Sequence, residues 1–125
     1  MIMINSDVRI AVVEDDTGLR TALEQLLRSA GFSAVTFESA EDFLAYEQRS
    51  EIACLLADIN LPGISGVELV KKVSTNGQRL PAVLMTGRRD AATVQLEREA
   101  GAVPRLHKPF SDAALFDTIA RVMQH

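Results

Sequence analysis

Residues 52–66 read IACLLADINLPGISG. The apolar run from Ile52 to Ala57 shows no polar alternation, which marks a short strand buried on both faces, as in a parallel sheet. Asp58 follows at once, and then a turn carrying Pro62, Gly63 and Gly66. Ser65 opens SGVE, a hydroxyl followed three residues later by an acid, which is the sequence mark of a helix N-terminus. The segment therefore reads strand, loop, helix, with a carboxylate at the mouth of the strand.

The same unit recurs on either side. Further runs rich in Val, Ile and Leu are expected as strands at Val8 to Val13, Ala34 to Phe37 and Ala82 to Met85, with a weaker fifth near Pro104 to His107. Between the first two, Leu19, Leu23, Leu26, Leu27 and Ala30 share one helical face and Gly31 stands as the stop. Ser39 in SAED marks another helix start, and Asp90 and Ser111 are expected caps for the last two helices. Leu115, Ile119, Val122 and Met123 form the apolar stripe of the final helix. The fourth helix, AATVQLEREAG, has few large apolar residues, so thin packing and a mobile element are expected there. Strand and helix alternate with short connections, which predicts an α/β fold, a parallel sheet covered by helices on both faces through right-handed crossovers.

The chain has 125 residues, 47% of them hydrophobic and 24% charged, enough for one globular core and too few for two. Residues 1–125 are expected to form a single domain with no repeat, no low-complexity segment and no output domain of their own. No apolar stretch approaches the roughly 20 residues of a membrane span, and the N-terminus lacks a leader pattern, so cytoplasmic localisation without membrane insertion is expected. A net charge of −4 with no cluster of Lys and Arg argues against direct nucleic-acid binding. The single cysteine, Cys54, lies inside the apolar run and reads as a small core residue.

In sheets of this kind the loops beyond the C-terminal strand ends converge at the switch in strand order, and function is sought there. The first strand ends in Glu14, Asp15 and Asp16. One acid suffices to cap the next helix, and Asp16 is placed to do so. If the first and third strands are neighbours, Asp15 and Asp58 face each other, and like charges at that range resist joint ionisation unless a cation lies between them. Magnesium suits such oxygen ligands, needing one or two carboxylates and retaining waters. The fourth strand ends in Thr86, and Lys108 and Pro109 follow the fifth. A strand-end threonine or a surface lysine means little alone. Together with the acids they assemble a nucleophile, a metal site, a hydroxyl and a cation, the parts phosphoryl transfer requires. His107 has no second histidine near it and reads as structural.

VVEDD at 12–16, LLADINLPGISG at 55–66, VLMTG at 83–87 and HKPF at 107–110 resemble, in this order and spacing, the receiver domain of two-component response regulators. The resemblance covers nearly the whole chain. It implies a flavodoxin-like, doubly wound sheet of five parallel strands in the order 2-1-3-4-5. It implies that Asp58 accepts a phosphoryl group from a sensor histidine kinase or phosphotransfer protein. It further implies that Asp15, Asp58 and the backbone carbonyl of Asn60 bind Mg2+, with Glu14 acting through a water. Thr86 and Lys108 would then grip the phosphate, and the Lys108–Pro109 bond would be cis. Such a domain is a switch and no enzyme beyond its own phosphorylation and autodephosphorylation. Its downstream partner, or a second copy, would dock on the last two helices and the fifth strand. Asn60 and Arg88 occupy the positions that in this family tune access of water to the acyl phosphate.

One departure stands out. Three residues before the lysine, where the family usually has Tyr or Phe, this chain has Arg105. An exchange of acidic partners with Glu97 and Glu99 on the fourth helix is the expected substitute. Three rival readings are weaker. A haloacid-dehalogenase-type phosphohydrolase places its nucleophile in Asp-x-Asp after the first strand, a pattern that Glu14-Asp15-Asp16 does not match. A docking module of the same fold that works without phosphorylation would not need every pocket residue. A flavin-binding domain needs a hydroxyl- and glycine-rich phosphate loop where this chain has acids.

Overall fold

The computed structural model describes residues 8–74 and 79–124. In chain order the elements are β1 (Arg9–Val13), α1 (Thr17–Ser29), β2 (Ser33–Phe37), α2 (Ala40–Leu44), a 3-10 turn (Arg49–Glu51), β3 (Ile52–Asp58), α3 (Gly66–Val73), β4 (Ala82–Thr86), α4 (Ala91–Ala100), β5 (Arg105–His107) and α5 (Asp112–Met123). The five strands form one sheet, ordered β2-β1-β3-β4-β5, and every pairing is parallel. Fold class and strand order agree with the expectation. Two strands run one residue further than the apolar pattern implied. Asp58 and Thr86 belong to the sheet because ladder pairing with Met85 and His107 holds their backbones in line, whatever their side chains.

Alternate residues of each strand face opposite layers. Ile10 and Val12 pack with Leu23 and Leu27 of α1 and Leu115 and Ile119 of α5. Ala11 and Val13 pack with Phe43 of α2 and Val67, Leu69 and Val70 of α3 on the other side. Each fully buried Leu, Ile or Phe contributes about 1.5–3 kcal/mol of transfer free energy, so both layers are well supplied. Cys54 is a fully buried member of the first layer, where burial pushes its thiol pKa up to about 12 and leaves it a packing residue.

All five expected caps are made. Asp16, Ser39, Ser65, Asp90 and Ser111 each accept a hydrogen bond from the backbone N–H three residues on. Gly31 ends the first helical unit at φ 95°, a conformation that favours glycine. The fourth helix is thinly packed, as its sequence implied. Its buried residues are Thr93 and Ala100, and Val94 is 40% exposed. Among the described residues no helix is long and apolar enough to cross a membrane.

Candidate functional site at the C-terminal sheet edge

Register brings the site together. Val13 pairs with Ala57, so the next residues, Glu14 and Asp58, emerge side by side. The Glu14 N–H is held by the Phe37 carbonyl at 3.0 Å, and the Ile59 N–H by the Met85 carbonyl at 2.8 Å. Thr86 pairs with His107, and the Lys108 N–H reaches the Thr86 carbonyl at 2.7 Å. Residues far apart in the chain thus share one rim because four neighbouring strands end there.

Carboxylate oxygens of Glu14, Asp15 and Asp58 lie within 4.8 Å of one another. Glu14 is 1% exposed and Asp58 7%, whereas Asp15 is open to solvent. Lys108 reaches in from β5, its Nζ 2.9 Å from Glu14 Oε1 and 3.5 Å from Asp58 Oδ2. The second Glu14 oxygen accepts the Asp16 N–H at 3.1 Å. Glu14 therefore makes direct contacts as well as whatever it shares with water. Burial pushes the Glu14 pKa above the usual carboxylate value, opposed by the Lys108 and Asp16 hydrogen bonds and helped by the charge on Asp58. For Lys108, burial works to lower the pKa. The Glu14 hydrogen bond and the charges of Asp58 and Glu14 outweigh it, and the net shift is upward.

The donor set fits a hard divalent cation: two or three carboxylates at one point, open on the Asp15 side for water. Asn60 sits at the lip, its N–H donating to Asp58 Oδ1 at 3.3 Å. Thr86 Oγ1 is buried and has no hydrogen-bond partner among the described residues. A buried hydroxyl left so costs about 1–3 kcal/mol, which a ligand oxygen would relieve. The Lys108–Pro109 peptide is cis, as the resemblance implied.

Glycines let the backbone close in. A Cβ at Gly66 would overlap the Asp58 carbonyl oxygen and stand 2.9 Å from its carbon, so α3 starts directly against the strand end that carries Asp58. A Cβ at Gly87 would lie 3.1 Å from that of Lys108, so the lysine stem passes over a bare backbone.

Several contributors were not legible in the sequence. Glu41 of α2 accepts the Ile64 N–H at 3.1 Å and so ties down the turn after Asp58. Arg20 of α1 donates to the Glu14 carbonyl at 2.8 Å. Thr93, fully buried, hydrogen-bonds the Asn60 side chain. Each looks like an ordinary helix residue in one dimension; only the partner, 6 to 33 positions away, reveals it.

The remaining expected residues lie at the rim. Arg88 pairs with Asp90 at 3.1 Å, and both are largely exposed. Arg105 Nη2 donates to the carbonyls of Glu97, at 2.6 Å, and Gly101, at 3.1 Å, the C-terminal end of α4. Its Nε lies 3.5 Å from Glu97 Oε1, close enough for ionic attraction but without hydrogen-bond alignment. Glu99 instead accepts from Gln95. The expected acidic partnership of Arg105 is therefore with Glu97 alone. His107 Nε2 stands 3.7 Å from the same Glu97 oxygen, on the exposed side.

A family model for the response regulator receiver domain matches residues 10–120. The transcriptional regulatory protein FixJ of Bradyrhizobium diazoefficiens is 36% identical over 106 residues, 85% of this chain and 52% of that protein. The response regulator protein TodT of Pseudomonas putida is 31% identical over 115 residues, 92% of this chain and 51% of the relative. The chain thus spans about half the length of these curated relatives. Among solved structures, a putative response regulator from Chloroflexus aurantiacus superposes with TM-score 0.82 at 29% identity, covering 94% of this chain and 98% of the other. The structure of FixJ-N gives TM-score 0.80 at 30% identity, with 95% of each chain covered. The same rim of acids, hydroxyl and lysine that the fold assembles is thus carried by a chain that belongs to the family of response regulator receiver domains.

Proposed function

We propose that Asp58 is a phosphoryl acceptor and that the domain switches between two states according to whether it is loaded. The observation that carries this is the clustering of three carboxylates within 4.8 Å, with Lys108 Nζ 3.5 Å from Asp58 Oδ2. An Asp58 oxygen forms a bond to phosphorus as the bond to the donor's imidazole nitrogen breaks. The electron pair leaves with that nitrogen, and the product is an acyl phosphate. Asp15, Asp58 and the Asn60 carbonyl are the expected Mg2+ ligands, with Glu14 contributing through a bound water. When bound, the ion neutralises the carboxylates and the incoming phosphate charge. Lys108 supplies a second positive charge, and the unpaired Thr86 hydroxyl is available to a phosphate oxygen.

The donor is a sensor histidine kinase or a phosphotransfer protein, and the receiver catalyses no more than its own loading and hydrolysis. Asn60 and Arg88 flank the mouth and set the lifetime of the acyl phosphate. Residues 1–125 act as one receiver, in the cytoplasm and without contact to nucleic acid. Relatives about twice as long are transcriptional or response regulators, so the signal passes to an effector domain, to a protein partner or to a second copy through α4, β5 and α5.

Incubation with acetyl phosphate and Mg2+ is expected to add the mass of one phosphoryl group to the native chain, and none to Asp58→Ala or to the native chain in EDTA. A persistent adduct on Asp58→Ala would move the acceptor elsewhere. Arg105 holds the C-terminal turn of α4 where the aromatic residue is lacking. Arg105→Ala is expected to release that turn and to cost about 1 kcal/mol, below the roughly 1.5–3 kcal/mol of an enclosed hydrogen bond to a charged group because the Arg105 side chain is 25% exposed. Faster amide exchange in residues 97–101 would register it, and exchange unchanged from the native protein would remove Arg105 from the output route.

A further inference from the structure

One polar chain crosses from the phosphoryl site to the N-terminus of α4. Asn60, whose N–H donates to Asp58 Oδ1, also extends its side-chain amide to Thr93, Nδ2 to Oγ1 at 3.0 Å. Thr93 Oγ1 lies 2.9 Å from Asp90 Oδ1 and 3.2 Å from Asn60 Oδ1. A hydroxyl has a single proton, and the shorter, ionised acceptor takes it. Thr93 therefore accepts from Asn60 and donates to Asp90. The second Asp90 oxygen meets Arg88 Nε at 3.1 Å. The hydrogen bonds from Thr93, first its N–H and then its hydroxyl, hold the Asp90 pKa below the usual carboxylate value, in keeping with an ionised Asp90.

Thr93 is fully buried, and the other buried residue of α4, Ala100, is 9% exposed. A helix with so little apolar anchorage is placed at its first turn by this hydroxyl. We infer that Thr93 is a positioning residue that joins Asn60 and, through Asp90, Arg88 into one unit and passes a change at Asp58 to the start of α4. The inference rests on the reading of Asp58 as acceptor. It deepens that reading by naming how Asn60 and Arg88 act together. A movement of the loop at Asn60 must then either carry α4 with it or break a part-buried hydrogen bond and leave the fully buried Thr93 without it, and the second is the costlier course.

Two substitutions separate this role from packing. Thr93→Val keeps shape and removes the hydroxyl; Thr93→Ser keeps the hydroxyl and removes a methyl. Amide exchange of residues 91–96 is followed by mass spectrometry with and without Mg2+ and acetyl phosphate, with adduct mass and decay recorded on the same samples. The native protein and Thr93→Ser are expected to change their α4 exchange on loading by about fivefold or more, the lower range of coupling between sites. Thr93→Val is expected to load but to show less than about twofold change, below that range, and an altered adduct lifetime. A Thr93→Val response equal to the native one, or a Thr93→Ser response as weak as that of Thr93→Val, would overturn the inference. If Thr93→Val fails to fold, Asp90→Ser gives the same reading, since serine still caps the helix but has no carboxylate for Thr93 and Arg88. If the native chain takes up no phosphoryl group, the acceptor reading fails by mass, and the comparison on Mg2+ alone still decides whether Thr93 couples the two ends.

Discussion

Lys108→Ala is expected to lower the unfolding free energy by about 2–3 kcal/mol near neutral pH without divalent cation, somewhat below the 3–5 kcal/mol typical of removing one partner from a fully buried pair. The discount follows from exposure: the Lys108 side chain is 24% exposed, and only Glu14 is truly enclosed, at 1%. The substitution strands the Glu14 carboxylate in a place where burial already raises its pKa. A carboxyl group with a raised folded-state pKa favours the folded state when protonated. That contribution is complete below its unfolded value and is lost as pH rises through the folded one. The deficit of Lys108→Ala is therefore expected to be large at pH 7.5 and to shrink toward pH 5 as Glu14 takes up a proton.

Lys108 itself titrates above the ordinary lysine value. The stability it confers on the native protein is complete below about 10.4 and fades as pH climbs beyond that point, a loss the variant should lack. Urea denaturation of both proteins in EDTA at pH 5, 7.5 and 10.5–11 measures all three consequences. Equal deficits at pH 5 and 7.5 would show that Glu14 and Lys108 do not form the linked pair described. The same variant is expected to accept a phosphoryl group more slowly, because only the metal would then neutralise the transferring charge.

Gly66→Ala is the second large effect, about 2–3 kcal/mol of destabilisation, at the upper end of overpacking costs because the obstructing atoms are backbone. The added carbon would meet the Asp58 carbonyl group and stand 3.1 Å from the Ile59 Cα. Neither can turn aside as a side chain could. The helix propensity gained with alanine returns less than about 1 kcal/mol. Relief must come from moving α3 away from the end of β3, which tilts Asp58 relative to Glu14 and Asp15. Loss of stability should thus be accompanied by weaker stabilisation on adding Mg2+, read as a smaller rise in Tm. Gly18→Ala is the control: its Cβ would lie 3.4 Å from Asp16 Oδ1, an ordinary contact, and it sits within α1. Gly18→Ala is expected to be neutral or mildly stabilising. Equal behaviour of the two variants would mean that the close approach at Gly66 carries no strain.

The two residues illustrate different degrees of legibility. Gly66 stood out in the sequence as part of a turn, but what it approaches did not, since contact with the Asp58 carbonyl depends on how α3 swings back over the sheet. Lys108 was visible as a cation after a strand. Its place near Asp58 came from resemblance, and its 2.9 Å contact with Glu14 came from the fold. The apolar pattern stops at Ala57 and Met85, where side chains turn polar, while the strands run on to Asp58 and Thr86, where the backbone ladder ends.

By itself the sequence determined the alternation of strands and helices, the helix caps at Asp16, Ser39, Ser65, Asp90 and Ser111, and the presence of acids, a hydroxyl and a lysine just beyond strand ends. These are local matters, decided by side-chain period and by hydrogen bonds three residues long. The strand order came only from the family resemblance, and the contacts across the rim were decided by the tertiary structure. Parallel register set Glu14 beside Asp58, the approach of β5 set Lys108 between them, and the docking of α4 brought Thr93 to Asn60 across 33 residues of chain. Such contacts depend on where whole elements come to rest against the core, and no short window of sequence contains that information.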